Sequence, residues 1–173
     1  MKKLGLLRHA KSDWGESDKR DFDRGLNGRG RRGAALMGAH VRQQGTQWDR
    51  LVASPARRVK LTLESAALGV EPEWDERLYL ASTDTIFDIL RASSGDAVLI
   101  AGHNPGLGDV ILELVAPSKE NALFDEAKVK FPTAAFAVLE LPIDDWADLR
   151  PECATLVHFK RPRDLDAELG PED

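Results

Sequence analysis

The chain has 173 residues, 42% hydrophobic and 31% charged, which are the proportions of one globular domain and not of a disordered, collagenous or fibrous chain. Its formal net charge of −5 gives the molecule as a whole no electrostatic footprint for nucleic acid or an anionic membrane, so an anionic ligand must be held by a local cluster. The longest apolar run, Ala134 to Leu139, is far short of the roughly 20 residues that a helical membrane span needs. Arg8, His9 and Lys11 interrupt what would be the apolar stretch of a secretory leader. The single Cys153 excludes an internal disulfide, and a cytoplasmic location is expected.

In chain order, Lys3 to Arg8 reads as a short buried strand, followed by a long helix from Asn27, its cap, to Gln44. Asp49 to Ala53 is a second strand. After Ser54-Pro55, residues Val59, Leu63, Ala66 and Ala67 fall at helical spacing, with Ser as the cap and Pro in the first turn. Thr83 to Arg91 is a further helix carrying Ile86, Ile89 and Leu90. Asp96 to Ala101 is a third strand, and a stripe of Leu107, Val110, Ile111, Leu114 and Val115 follows Asn104-Pro105. Thr133 to Glu140 and Thr155 to Lys160 read as strands joined by a polar loop. The alternation predicts an α/β three-layer sandwich, a mainly parallel sheet with helices on both faces and an antiparallel C-terminal edge. Residues 1–160 form the expected domain, and 161–173 a loosely ordered tail.

Three predicted parallel strands run straight into polar groups: Arg8-His9, Ser54-Pro55-Ala56-Arg57-Arg58 and Gly102-His103-Asn104-Pro105. Ligands of open parallel sheets bind outside the carboxyl ends of the strands, so these segments are expected to share one crevice. Two arginines and two histidines together repel one another unless an anion joins them, and guanidinium forks match phosphate oxygens. A neutral imidazole can attack phosphorus while its other nitrogen donates to a backbone carbonyl. Two helix N-termini near Pro55 and Pro105 are expected to add partial positive charge. No metal or cofactor is called for.

The stretch Leu6-Leu7-Arg8-His9-Ala10-Lys11-Ser12 resembles the Arg-His-Gly signature of the histidine phosphatase superfamily, the phosphoglycerate-mutase-like proteins, and within it the SixA-type phosphohistidine phosphatases. The resemblance extends through Asp21 to Leu26, Ser54 to Glu64, Gly102 to Pro105 and Phe131-Pro132-Thr133. It implies that His9 is a transiently phosphorylated nucleophile and that Arg8, Arg58 and His103 hold the phosphoryl oxygens. Arg58 fits better than Arg57, because the family places its arginine four residues after the Ser of Ser-Pro. Asp21 and Arg24 match a spacing in the family's mobile loop. Trp14, just beyond the nucleophile segment, stands where an aromatic lines a pocket mouth.

The sequence also departs from the pattern. Ala10 replaces the signature glycine, which requires backbone dihedrals that suit a side chain, and Leu61 stands where many members have Gln. Trp74 to Ser82 lacks a clear counterpart of the family's proton-donating acid, leaving Glu76, Asp75, Asp21, Asp23 or water as candidates. The expected substrate is a phosphorylated protein, a histidine-phosphotransfer domain among them. The alternatives are a small phosphate ester, hydrolysed by a phosphomonoesterase of the same superfamily, and a noncatalytic phosphoprotein-binding module.

Other polar residues read as structural. His40 and His158 have no partner at ligand spacing, and Cys153 fails as a phosphotyrosine-phosphatase nucleophile because Phe159 occupies the position of the required arginine. Gly25 to Gly33 lacks the preceding strand of a nucleotide-binding loop and reads as a helix start with a basic exposed face.

Overall fold

The computed structural model describes residues 1–15 and 19–170. Six strands form one sheet in the order β3-β2-β4-β1-β5-β6: β1 Lys2–Arg8, β2 Arg50–Ala53, β3 Pro72–Trp74, β4 Ala97–Gly102, β5 Phe136–Leu141 and β6 Thr155–Lys160. The first four run parallel, while β5 pairs antiparallel with both β1 and β6. This is the expected mainly parallel sheet with an antiparallel C-terminal edge.

Alternation within the strands builds two cores. Val98 and Ile100 join one apolar cluster while Leu99 and Ala101 join the other. On the first face lie α3 Thr83–Arg91, α4 Gly106–Leu114 and α5 Ala122–Val129; on the second lie α1 Gly28–Gln44 and α2 Arg57–Ala66. The result is a three-layer sandwich. Asn27 caps α1 as expected, its side chain accepting from Gly30 N.

The Ser54-Pro55 start differs from expectation, whereas α4 follows Asn104-Pro105 directly, as expected. α2 begins at Arg57 and α4 at Gly106, neither with a side-chain cap on the residue before it. Ser54 Oγ accepts from Ala56 N at 3.3 Å, ahead of the helix, and also meets His103, as described below, while Asn104 Oδ1 accepts from Gly108 N at 3.1 Å within the first turn of α4. Two elements were not foreseen. β3 is three residues long and opens on a proline, and α5 buries only Phe124 and Ala127, too little for a clear helical stripe.

The expected loosely ordered tail does not hold for its described part. α6, Pro162–Leu165, and a 3-10 turn at Ala167–Leu169 bury Pro162 and Leu169. Arg32 on α1 pairs with Asp166 and Glu168, and Arg29 Nη2 donates to the Gly170 carbonyl. Two of the basic side chains expected on an exposed helix face thus pin the tail to α1. Residues 171–173 of that tail lie outside the described residues.

α1 and α2 cross at Gly38, where an added Cβ would overlap the Ala66 carbonyl oxygen, whereas one at Gly28 would meet nothing within 4 Å. Gly38→Ala is therefore expected to lower stability by about 1–3 kcal/mol through overpacking. Gly28→Ala is expected to be neutral or to stabilise by up to about 1 kcal/mol. Urea denaturation of the two variants measures the contrast; equal effects would show that the helices separate without cost.

Candidate active site

Strand register places the polar groups. Arg8 of β1 pairs with Gly102 of β4, and Ala53 of β2 pairs with Ala101 of β4. The residues that follow, His9, His103 and Ser54, therefore emerge together at the carboxyl edge of the sheet. The His9 and His103 ring centroids are 5.4 Å apart. Arg58, in the first turn of α2, reaches the same place, with Nη2 donating to His103 Nδ1 at 3.3 Å. The structure thus brings Arg8, His9, Arg58 and His103 together. His9, Arg58 and His103 are all buried.

Their orientation is set by neighbours. His9 Nδ1 donates to the Ala10 carbonyl at 2.8 Å, which leaves Nε2 as the lone-pair nitrogen of a neutral ring. His103 takes the opposite tautomer: Nδ1 accepts from Arg58, so Nε2–H donates to Ser54 Oγ at 2.8 Å. Arg8 Nη1 donates to the Phe131 carbonyl at 3.1 Å, and Asn104 Nδ2 donates to the same oxygen at 2.7 Å. Thr62 Oγ1 accepts from Ala10 N at 2.9 Å and donates to the Arg58 carbonyl at 2.7 Å, tying α2 to the segment after His9. Ala10 is fully buried and lies outside the left-handed region, so its methyl group is accommodated.

Arg8, His9, Arg58, Asp21 and Trp14 line a cleft of about 250 Å³ together with Lys11, Ser12, Asn104 and Thr133. Trp14 is exposed at this rim, and the Arg24 guanidinium stacks 4.0 Å from its ring centroid. Arg24 is thus joined to the cleft through Trp14. Asp21 sits in a 3-10 turn, Asp21–Asp23, and accepts from Arg58 through both its backbone carbonyl, at 2.7 Å, and its carboxylate, at 3.0 Å.

Tyr79 was not foreseen. Its hydroxyl donates to Asp21 Oδ2, its ring stands edge-on to His103 at 5.4 Å, and Phe22 packs against it at 5.1 Å. It lies in the Trp74 to Ser82 stretch, where the resemblance points to an acid and nothing local marks a tyrosine. The other acid candidates do not line the cleft. Asp75 caps the turn Glu76–Leu78 and pairs with Arg77, Asp23 pairs with Arg20, and Glu76 is exposed.

Burial, reinforced by the Arg8, Arg58 and His103 charges against the Ala10 hydrogen bond, pushes His9 down to about 3. Burial and the Arg58 charge, opposed by Asp21, hold His103 at about 4, and burial with the Arg58 charge lowers Arg8 to about 10. Burial alone would raise the Asp21 carboxyl, but hydrogen bonds from Tyr79 and Arg58 and the charges of Arg58 and His103 outweigh it, leaving it ionised below its ordinary range. Burial and the bond to Asp21 raise the Tyr79 hydroxyl.

Elsewhere, His40 and His158 do meet: their Nε2 atoms are 2.8 Å apart and their rings stack at 5.0 Å. Cys153 is buried. Among the described residues no group of three or more His, Cys, Asp or Glu side chains is arranged to hold a metal ion, and no helix is long and apolar enough to cross a membrane.

Comparison with known proteins shows that the chain belongs to the histidine phosphatase superfamily, whose branch 1 pattern matches residues 4–79. An uncharacterized protein of Mycobacterium leprae is 35% identical over 162 residues, covering 91% of this chain and 100% of the relative. A structure from Nakamurella multipartitia, assigned to the SixA phosphohistidine phosphatases, superposes with a TM-score of 0.82 at 30% identity, covering 93% of this chain and 96% of its own. One from Agrobacterium tumefaciens, assigned likewise, gives 0.75 at 26% identity, covering 93% and 98%.

Two outcomes follow from the buried imidazoles. Unfolded histidine titrates near 6.5, whereas folded His9 titrates at about 3 and His103 at about 4. As pH falls below that unfolded value the unfolded chain takes up protons that the folded site refuses, so stability falls and the loss ends only below the folded values. Denaturant unfolding at about pH 7.5 and about pH 5 is expected to show this loss, and His9→Gln to reduce it; an equal loss in the variant would mean that His9 is not held neutral. Ser54→Ala leaves the buried His103 Nε2–H without its acceptor and is expected to cost about 1–3 kcal/mol in the same measurement.

Proposed function

We propose that the protein is a phosphatase that works through a phosphorylated His9 and acts on phosphohistidine in a protein substrate. The observation that carries this reading is the state of His9: a neutral ring, oriented through Nδ1 by the Ala10 carbonyl, in a cleft it shares with Arg8 and Arg58. Nε2 attacks phosphorus, a new P–N bond forms, and the bond to the leaving nitrogen breaks. The nitrogen takes its proton from solvent, and water then attacks phosphohistidine 9 and releases inorganic phosphate. Arg8, Arg58 and His103 counter the charge spread over the equatorial oxygens. This reading routes no step through a metal or cofactor.

A substrate that is itself a protein side chain is supported by the shape of the cleft, about 250 Å³ with an exposed Trp14 at its rim. The assignment of both structural neighbours as phosphohistidine phosphatases agrees. The state of the carboxylates favours a P–N over an alkyl P–O bond. Asp21, which lines the cleft, is ionised and engaged by Arg58 and Tyr79, so it offers no proton to an alkoxide. An imidazole nitrogen is basic enough to be protonated by solvent.

Rapid-quench incubation with a labelled phosphohistidine protein and, separately, an alkyl phosphate tests the assignment. An acid-labile label is expected on the wild type and not on His9→Ala, with turnover favouring phosphohistidine. Arg58→Ala is expected to lower turnover about 100-fold or more. Equal turnover by His9→Ala would remove the nucleophile; capture of phosphate with neither label nor turnover would point to a binding module.

A further inference from the structure

The Asp21 carboxylate occupies donors that a phosphoryl group needs. A guanidinium has five N–H groups. Arg58 directs Nη1 to the Asp21 carbonyl, while the two protons of Nη2 go to the Asp21 carboxylate and to His103 Nδ1. With Nη2 fully engaged, a phosphoryl oxygen can reach it only by replacing one of these acceptors. His103 is the harder to move, because it is buried and anchored to Ser54. Asp21 is the easier. Its side chain is 44% exposed while that of Arg58 is 6% exposed, so water can take up the released carboxylate without opening the core.

The two anions also cannot share the arginine comfortably. Asp21 lines the same cleft as His9, and a phosphoryl dianion beside an ionised carboxylate is opposed by like-charge repulsion. Tyr79 gives the carboxylate a second hold, since its hydroxyl donates to the same Oδ2 that accepts from Arg58. Phe22, the next residue, packs edge-on against the Tyr79 ring. The turn therefore has an anchor besides Arg58, and the carboxylate can leave the guanidinium while Tyr79 and Phe22 hold the turn in place.

We propose that Asp21 is an internal competitor for Arg58, a carboxylate latch that a phosphoryl group must displace to take the Nη2 donor and that weaker, singly charged anions displace poorly. The latch rests on the reading of Arg58 as a phosphoryl-holding residue. It makes Asp21 a specificity-determining residue of the cleft and Tyr79 the group that positions it.

Calorimetric titration of the full chain with inorganic phosphate tests this. Asp21→Asn and Asp21→Ala are expected to bind phosphate about fivefold more tightly than wild type, the upper end for loss of a competing solvent-facing ion pair. Tyr79→Phe, which removes the carboxylate's second hold and leaves it to Arg58, is expected to bind phosphate no more tightly than wild type, and tighter binding would show that Tyr79 does not help the carboxylate to leave Arg58. Weaker binding in both Asp21 variants would overturn the latch, because the carboxylate would then be holding Arg58 in its productive orientation. Arg58→Ala separates the two readings. If it weakens binding while the Asp21 variants match wild type, the latch fails and the phosphoryl-holding role of Arg58 stands. If it binds phosphate as wild type does, that role fails and the latch fails with it.

Discussion

Arg8 and Arg58 lie close enough to His9 and His103 to depress the proton affinity of both rings, and much of the local structure manages that repulsion. Two guanidinium groups cannot be neutralised at ordinary pH, so the imidazoles give way. Burial and the neighbouring charges keep both rings unprotonated, which reduces the local positive charge and leaves His9 with a lone pair. The Asp21 carboxylate supplies the remaining counter-charge. The site thus carries fewer net charges than its sequence implies.

Such a cluster persists because its parts are anchored to elements that do not depend on it. Arg8 ends a strand paired on both sides and His9 follows it, and His103 follows the strand beside it. Thr62 joins the backbone of α2 to the segment after His9 through two hydrogen bonds. The Phe131 carbonyl gathers donors from Arg8 and Asn104, so the Phe131-Pro132-Thr133 segment acts as a backbone acceptor shared by two strand ends. These groups are embedded in the two apolar clusters on either side of the sheet, and close packing resists their drift.

Much of the architecture was legible because its elements repeat simple periods. Asn27 as the cap of α1, the Thr83–Arg91 helix and the β6 boundaries follow from local chemistry and apolar spacing, and the structure agrees. The misreadings have a common cause. Ser54 reads as a helix cap because serine before proline usually is one, but a buried imidazole that follows β4, the strand beside β2, donates to its hydroxyl, and α2 begins only at Arg57. The 161–170 segment reads as loose because it is polar. Its Asp166 and Glu168 carboxylates pair with Arg32, which is 134 and 136 residues distant in sequence. His40 and His158 read as separate for the same reason, being 118 residues apart.

The order of strands and helices, the chemical types at the strand ends and the resemblance carried by Arg8-His9 were determined by the sequence alone, since each depends on residues within one or two turns of each other. Only the tertiary structure decided the tautomer of each histidine, the engagement of Arg58 by Asp21 and the part played by Tyr79. Those features depend on hydrogen bonds between segments that sheet pairing brings together, and a hydrogen bond is settled by tenths of an ångström and by angle, quantities that no linear spacing encodes.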